Sequence, residues 1–213
     1  MSFFLLAFPA LLSIVNPLGG AFLFLGAVEH LPKATREYLA RRIAIYSFTI
    51  LNVSLYVGGY VLEFFGISIP VLRVAGGLVI SLSAWNLLNA DDSAHRKKAE
   101  VASLDPEDAK RMAFYPLTLP ITAGPGTISV AVSLGTNRPD HARDFVFFFL
   151  AATLATSLIA LLIYWLYRSS ERVSRTVGSS GTTIIMRLSA FLLFCIGIQV
   201  LWLGAQELLR GLQ

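Results

Sequence analysis

Apolar stretches long enough to cross a bilayer alternate with short polar ones along nearly the whole chain. Residues 3–28, 43–62, 112–137 and 145–167 carry no charge, and residues 71–89 and 184–208 carry only Arg73, Arg187 and Glu207. A membrane helix needs roughly 20 apolar residues, so the pattern predicts six spans over these ranges. The segments between them, 29–42, 63–70, 90–111, 135–144 and 168–183, read as turns and surface loops, with one short amphipathic helix expected inside 90–111. The first run lacks a basic leader, a short core and a small-residue cleavage site, so it reads as a retained span rather than a signal peptide.

Two of the six runs are interrupted. Residues 112–137 contain Pro116, Pro120 and Pro125 together with Gly124 and Gly126. An interior proline removes a backbone donor and costs a helix about 3 kcal/mol or more. At membrane depth, freed backbone groups survive only where protein or a water-filled cavity satisfies them. The span is therefore predicted to be a discontinuous helix, broken near Gly124-Pro125-Gly126. The first run is interrupted in the same way at Asn16-Pro17-Leu18-Gly19-Gly20. The halves echo each other elsewhere: Phe8-Pro9 opens the first run as Tyr115-Pro116 opens the fourth, and Leu72-Arg73-Val74-Ala75 parallels Met186-Arg187-Leu188-Ser189. A unit of three spans returns inverted in the membrane. The expected fold is an all-α integral membrane protein of six transmembrane helices in a 3+3 inverted repeat, with helices one and four discontinuous. One kink is commonly structural, but two in corresponding places mark the midplane site of a secondary transporter.

Composition supports the membrane reading. The chain is 55% hydrophobic and 14% charged, against about 45–50% and 25% in soluble domains. A single transmembrane domain is expected over residues 1–213, with repeat one at about 1–90, a cytoplasmic loop at 90–111 and repeat two at about 112–213. The net charge of +4 is then a matter of topology rather than nucleic-acid binding. Segments 29–42, 89–111 and 168–187 hold four, five and four basic residues, whereas the alternate side holds only Arg73, Arg138, Arg143 and Arg210. The positive-inside bias places both termini outside, in the periplasm of a bacterial host. Cys195 is the single cysteine, and His30, His95 and His141 are scattered without metal-ligand spacing. Neither a disulfide nor a metal or other cofactor is expected.

Asn16-Pro17-Leu18-Gly19 together with Pro116-Leu-Thr-Leu-Pro-Ile-Thr-Ala-Gly-Pro-Gly-Thr127 is similar to the MarC family of bacterial and archaeal membrane proteins. The resemblance extends over essentially the whole chain, including Ala75-Gly76-Gly77 in span three and Gly197-Ile-Gln199 in span six. It implies a bacterial or archaeal cytoplasmic (inner) membrane protein, and the family includes a branch of transporters for small neutral amino acids of the glycine and alanine type. It gives no reason to read drug efflux. The residue chemistry agrees with a zwitterion. A helix break exposes an N-terminus of roughly +0.5 charge and a C-terminus of roughly −0.5, suited to a carboxylate and to an ammonium or coupling cation. The predicted substrate contacts are Asn16, Pro17, Gly19, Gly20, Thr122, Gly124, Pro125, Gly126, Thr127 and Gln199. Glycines there let backbone approach the ligand, and Asn16, Thr122 and Thr127 offer side-chain hydrogen bonds. Gln199 reads equally as a path-lining or a structural residue.

Other polar groups have plainer readings. Asn52 reads first as a helix–helix hydrogen bond, with Asn86 open between path and packing. Arg73 and Arg187 read as snorkelling to an interface, with a gate as the sharper alternative. Gly58-Gly59 and Gly76-Gly77 read as close-packing positions; Phe147, Phe148, Phe149 and Trp165 read as lipid-facing or interfacial. No Asp or Glu lies deep in a span, so a carboxylate proton relay has no candidate. That leaves Na⁺ at unwound carbonyls or uncoupled exchange, with H⁺ as the other coupling ion. The expected partners are a small-molecule substrate and the lipid bilayer, with no nucleic acid, and the oligomeric state is left open. An intramembrane enzyme would need a nucleophile, acid pair or metal cluster in the spans, so a non-enzyme is expected. The alternatives to a carrier are a channel or a non-transport membrane partner protein.

Overall fold

The computed structural model describes residues 2–29, 31–89, 106–136 and 142–211. The described residues form helices and no strand: α1 (Ser2–Val15), α2 (Pro17–Val28), α3 (Lys33–Phe64), α4 (Ile69–Leu88), α5 (Pro106–Met112), a π-helical segment (Ala113–Thr122), α6 (Pro125–Gly135) and α7 (Ala142–Arg210). Among the described residues, five stretches are long and apolar enough to cross a membrane: Phe3–Val28, Lys33–Phe64, Ile69–Leu88, Phe145–Gly178 and Gly181–Arg210. Helix α6 is apolar but shorter.

Proline sets the helix starts. Pro17 opens α2, Pro125 opens α6 and Pro70 stands in the first turn of α4, where the missing N–H has no intrahelical partner to lose. Proline also explains the irregular π segment. Tyr115 (φ −129°, ψ 125°) and Leu119 (φ −108°, ψ 124°) are extended, and each directly precedes a proline, whose ring disfavours the helical region for its neighbour. The irregular backbone thus begins well before the predicted break at Gly124. Two threonine hydroxyls donate to carbonyls within it: Thr118 to Ala113 at 2.6 Å and Thr122 to Leu117 at 2.7 Å.

The long α7 turns back at Gly178, whose φ of 76° and ψ of 172° break the helix in a region that favours glycine. Its first arm runs antiparallel to α3, with Asn52 donating to Thr156 at 3.0 Å and Arg36 to Glu171 at 2.7 Å. Asn52 therefore fulfils its structural reading. The second arm runs antiparallel to α4, Trp85 meeting Phe194 at 6.0 Å and Arg73 pairing with Glu207. Small residues bring these backbones together: a Cβ on Gly77 would lie 2.7 Å from the Gly197 carbonyl oxygen and 2.8 Å from Leu201 Cα. That is the packing by which membrane helices associate without a hydrophobic drive.

The buried core joins α1, α2, α3, the π segment, α6 and the first arm, around Leu11, Phe24, Leu51, Leu117, Ile159 and Tyr167. Helix α4 and the second arm flank it and expose Leu82, Trp85, Phe191 and Trp202, a surface matched to lipid.

Several expectations change. Helix α3 begins at Lys33, so most of the predicted linker 29–42 is helical. The first arm likewise carries its helix through much of the predicted loop 168–183. Charge marks where the chain leaves the apolar layer, and paired side chains let the helix continue beyond it. Within the predicted loop 90–111, α5 provides a short helix; residues 90–105, and 137–141 of the next turn, lie outside the described residues. Arg73 does not simply snorkel, since its Nε donates to Ser133 at 2.9 Å, whereas Arg187 is exposed. Phe148 is buried against Phe3, with ring centroids 4.3 Å apart, while Phe147 and Phe149 are exposed.

Candidate functional site

Asn16 is the single residue between α1 and α2 and adopts a left-handed conformation (φ 43°, ψ 61°). Asparagine is among the few side chains that tolerate this region, because its short polar group bonds locally. Here the carboxamide oxygen accepts from the Gly19 N–H at 3.2 Å, capping α2. Gly19 also packs on the second arm of α7, where a Cβ would lie 3.1 Å from Ser189 Cβ.

The other interruption has a different cap. Gly124 is extended (φ −76°, ψ 178°) and offers no side chain to the α6 N-terminus. Gly126 and Thr127 are buried at that end, and Gly126 packs directly on the Ile80 side chain of α4. Pro125 is exposed. The α6 N-terminus therefore presents first-turn N–H groups without a side-chain cap, in the positive end of the helix dipole.

One side chain joins the two regions. Tyr167 of the first arm is 1% exposed, and its ring stacks on Phe24 of α2 at 5.0 Å between centroids. Its hydroxyl packs directly against Gly20, leaving no room there for a Cβ. The same oxygen lies 2.8 Å from Thr122 Oγ1. Because Thr122 already donates its proton to Leu117, Tyr167 donates to Thr122.

Among the predicted contacts, Gly20 and Thr122 thus meet at one oxygen. Gly19 sits between Asn16 and Ser189, and Gly126 sits beside Ile80. Gln199 is exposed on the second arm. Tyr167 was missed by sequence reasoning because it stands at the end of an apolar run, where an interfacial tyrosine is ordinary. The usable signal was that a buried tyrosine needs a partner for its hydroxyl. Tyr167→Phe is expected to lower stability by about 0.6–1.7 kcal/mol, the range for membrane side-chain hydrogen bonds, measured by thermal unfolding in detergent. No group of three His, Cys, Asp or Glu able to hold a metal occurs among the described residues.

An all-helical chain with several bilayer-length apolar helices and irregular backbone buried among them is an integral membrane protein. It belongs to the MarC family: the family's model, described as MarC family integral membrane protein, matches residues 1–209. The chain is 35% identical to the UPF0056 inner membrane protein MarC of Citrobacter koseri over 205 residues, 94% of this chain and 92% of the relative. The same identity and coverage hold for the proteins of that name from Escherichia coli O1:K1 and Salmonella paratyphi B. No solved structure matches the chain.

Proposed function

We propose that the protein is a secondary carrier for small neutral amino acids of the glycine and alanine type, residing in the inner membrane with both termini outside. On this reading α1 with α2, and the π segment with α6, are the broken first and fourth members of a 3+3 inverted repeat. Reciprocal packing supports it. Helix α2 meets the second arm of α7 through Gly19 and Ser189, as α6 meets α4 through Ser129 and Gly76. Helix α2 meets the first arm through Gly20 and Tyr167, as α6 meets α3 through Val132 and Gly58.

The observation that carries the proposal is the single Tyr167 oxygen touching both Gly20 and Thr122. Each of these residues borders one helix interruption. A substrate carboxylate would take the uncapped N–H groups of Gly126 and Thr127, and its ammonium the carbonyls freed where α1 and the π segment end. Gly19, Gly20 and Gly126 pack closely against Ser189, Tyr167 and Ile80, so the room left beside the interruptions suits a small substrate side chain. The reading is of a carrier rather than an enzyme.

The test is uptake of labelled amino acids into proteoliposomes by wild type, Asn16→Ala and Gly126→Leu, compared at equal amounts of folded protein. Saturable uptake of glycine, alanine or serine, lost in both variants, is the expected result. Absence of uptake under sodium, proton and exchange gradients would reject the carrier.

A further inference from the structure

At one end of the bundle, α3 and the first arm of α7 enclose a cavity of about 470 Å³. Five basic side chains line it, Lys33, Arg36, Arg168, Arg172 and Arg175, against two acidic ones, Glu37 and Glu171. The carboxylates are already engaged: Glu171 pairs with Arg36 and Arg175, and Glu37 pairs with Arg168 at 3.4 Å. Lys33 and Arg172 have no carboxylate partner among the described residues. The arginines are thus held in position by the acids, and the cavity keeps an excess of positive charge.

Along the same two helices runs a second groove of about 560 Å³, lined by Ala44, Ile45, Phe48, Ala160 and Leu161. Tyr164 borders both spaces, and its hydroxyl accepts from Arg168 at 2.8 Å. The order along α3 is Lys33, Glu37, Arg41, then Ala44 and Phe48. Along the antiparallel arm it is Arg172, Arg168, Tyr164, then Leu161 and Ala160. Polar and apolar ends coincide on both helices, and the change falls at Tyr164. Trp165, 61% exposed, stands beside that change, as tryptophan does at a membrane–water boundary.

We propose that these two spaces, which meet at Tyr164, together bind one anionic phospholipid, its phosphate among Lys33, Arg168 and Arg172 and an acyl chain between α3 and the first arm. An aqueous anion uses only the first space. A neutral surface lipid has no call on the excess charge. Arginine suits phosphate through paired N–H donors, and basic pockets between membrane helices on the cytoplasmic side take anionic headgroups. Tyr167 also lines the first space, but the proposal rests on the basic and apolar side chains alone, so it holds whether or not the protein carries amino acids.

The test is thermal unfolding and native mass spectrometry of the detergent-purified protein with phosphatidylglycerol, phosphatidylcholine or inorganic phosphate. Phosphatidylglycerol is expected to raise Tm saturably by several degrees and to remain bound in the gas phase, whereas phosphatidylcholine does neither. The double variant Lys33→Gln/Arg172→Gln is expected to weaken phosphatidylglycerol at least tenfold. Ala160→Phe, which leaves every charge in place, is expected to weaken the lipid by filling the apolar groove. Equal stabilisation by phosphatidylcholine overturns the proposal, as does phosphatidylglycerol binding that Ala160→Phe leaves unchanged. Inorganic phosphate alone reproducing the full shift overturns the lipid as occupant and leaves a free-anion site.

Discussion

Gly135→Ala is expected to destabilise the protein by about 3 kcal/mol, the upper end of the usual cost of overpacking. Gly135 closes α6 where it crosses α3, and an added Cβ would overlap the Leu55 carbonyl, 2.8 Å from its carbon and 3.0 Å from Leu55 Cα. These are backbone atoms in the body of a long helix. No rotamer change relieves the overlap, so α3 and α6 must separate and Leu55 and Leu134 lose part of their burial. Gly26→Ala is the control. An added Cβ there meets nothing within 4 Å, and alanine in a helix is better than glycine by about 0.5–1 kcal/mol. Thermal unfolding in one detergent should show Gly135→Ala well below wild type and Gly26→Ala at or above it. Similar values for the two variants would mean that the α3–α6 approach is looser than described.

At Asn16 a pair of substitutions separates backbone from side chain. Asn16→Ala is expected to cost about 2–3 kcal/mol, combining left-handed strain with loss of the α2 cap. Asn16→Gly also loses the cap but accepts φ 43°, so its cost is expected to stay within about 1 kcal/mol. If the carboxamide only caps α2, uptake by Asn16→Gly should approach wild type. If it also meets substrate, Asn16→Gly should keep stability yet lose affinity. Equal destabilisation by alanine and glycine would remove the left-handed backbone from the explanation. Stability and the uptake KM, measured on the same preparations, decide among these outcomes.

Much of this was readable from residue order. The apolar runs marked the crossing helices because hydropathy reports transfer into lipid directly. The helix starts at Pro17 and Pro125 were readable because proline acts through its own ring on adjacent residues. The same local rule, applied at Tyr115-Pro116 and Leu119-Pro120, would have extended the second interruption back through the π segment. Helix ends were less readable. Lys33 to Arg42 and Arg168 to Val177 looked like loops by charge, but charge locates the edge of the apolar layer rather than the end of hydrogen bonding. Cross-helix pairs such as Arg36 with Glu171 allow helix to continue past that edge.

The sequence by itself determined a helical membrane protein, the prolines at which several of its helices begin, and membership of its family. These follow from side-chain hydrophobicity and from proline and glycine stereochemistry, which act over a few residues. Tertiary structure alone decided that Gly20 and Thr122 share the Tyr167 hydroxyl, that Arg73 pairs with Glu207 while Arg187 is exposed, and that Gln199 lies outside the core. It alone aligned the basic and apolar ends of α3 with those of the first arm. Each of these depends on how distant helices are set in register, and that register comes from shape fit at close contacts such as Gly77 with Gly197. The pattern along one strand of sequence does not contain it.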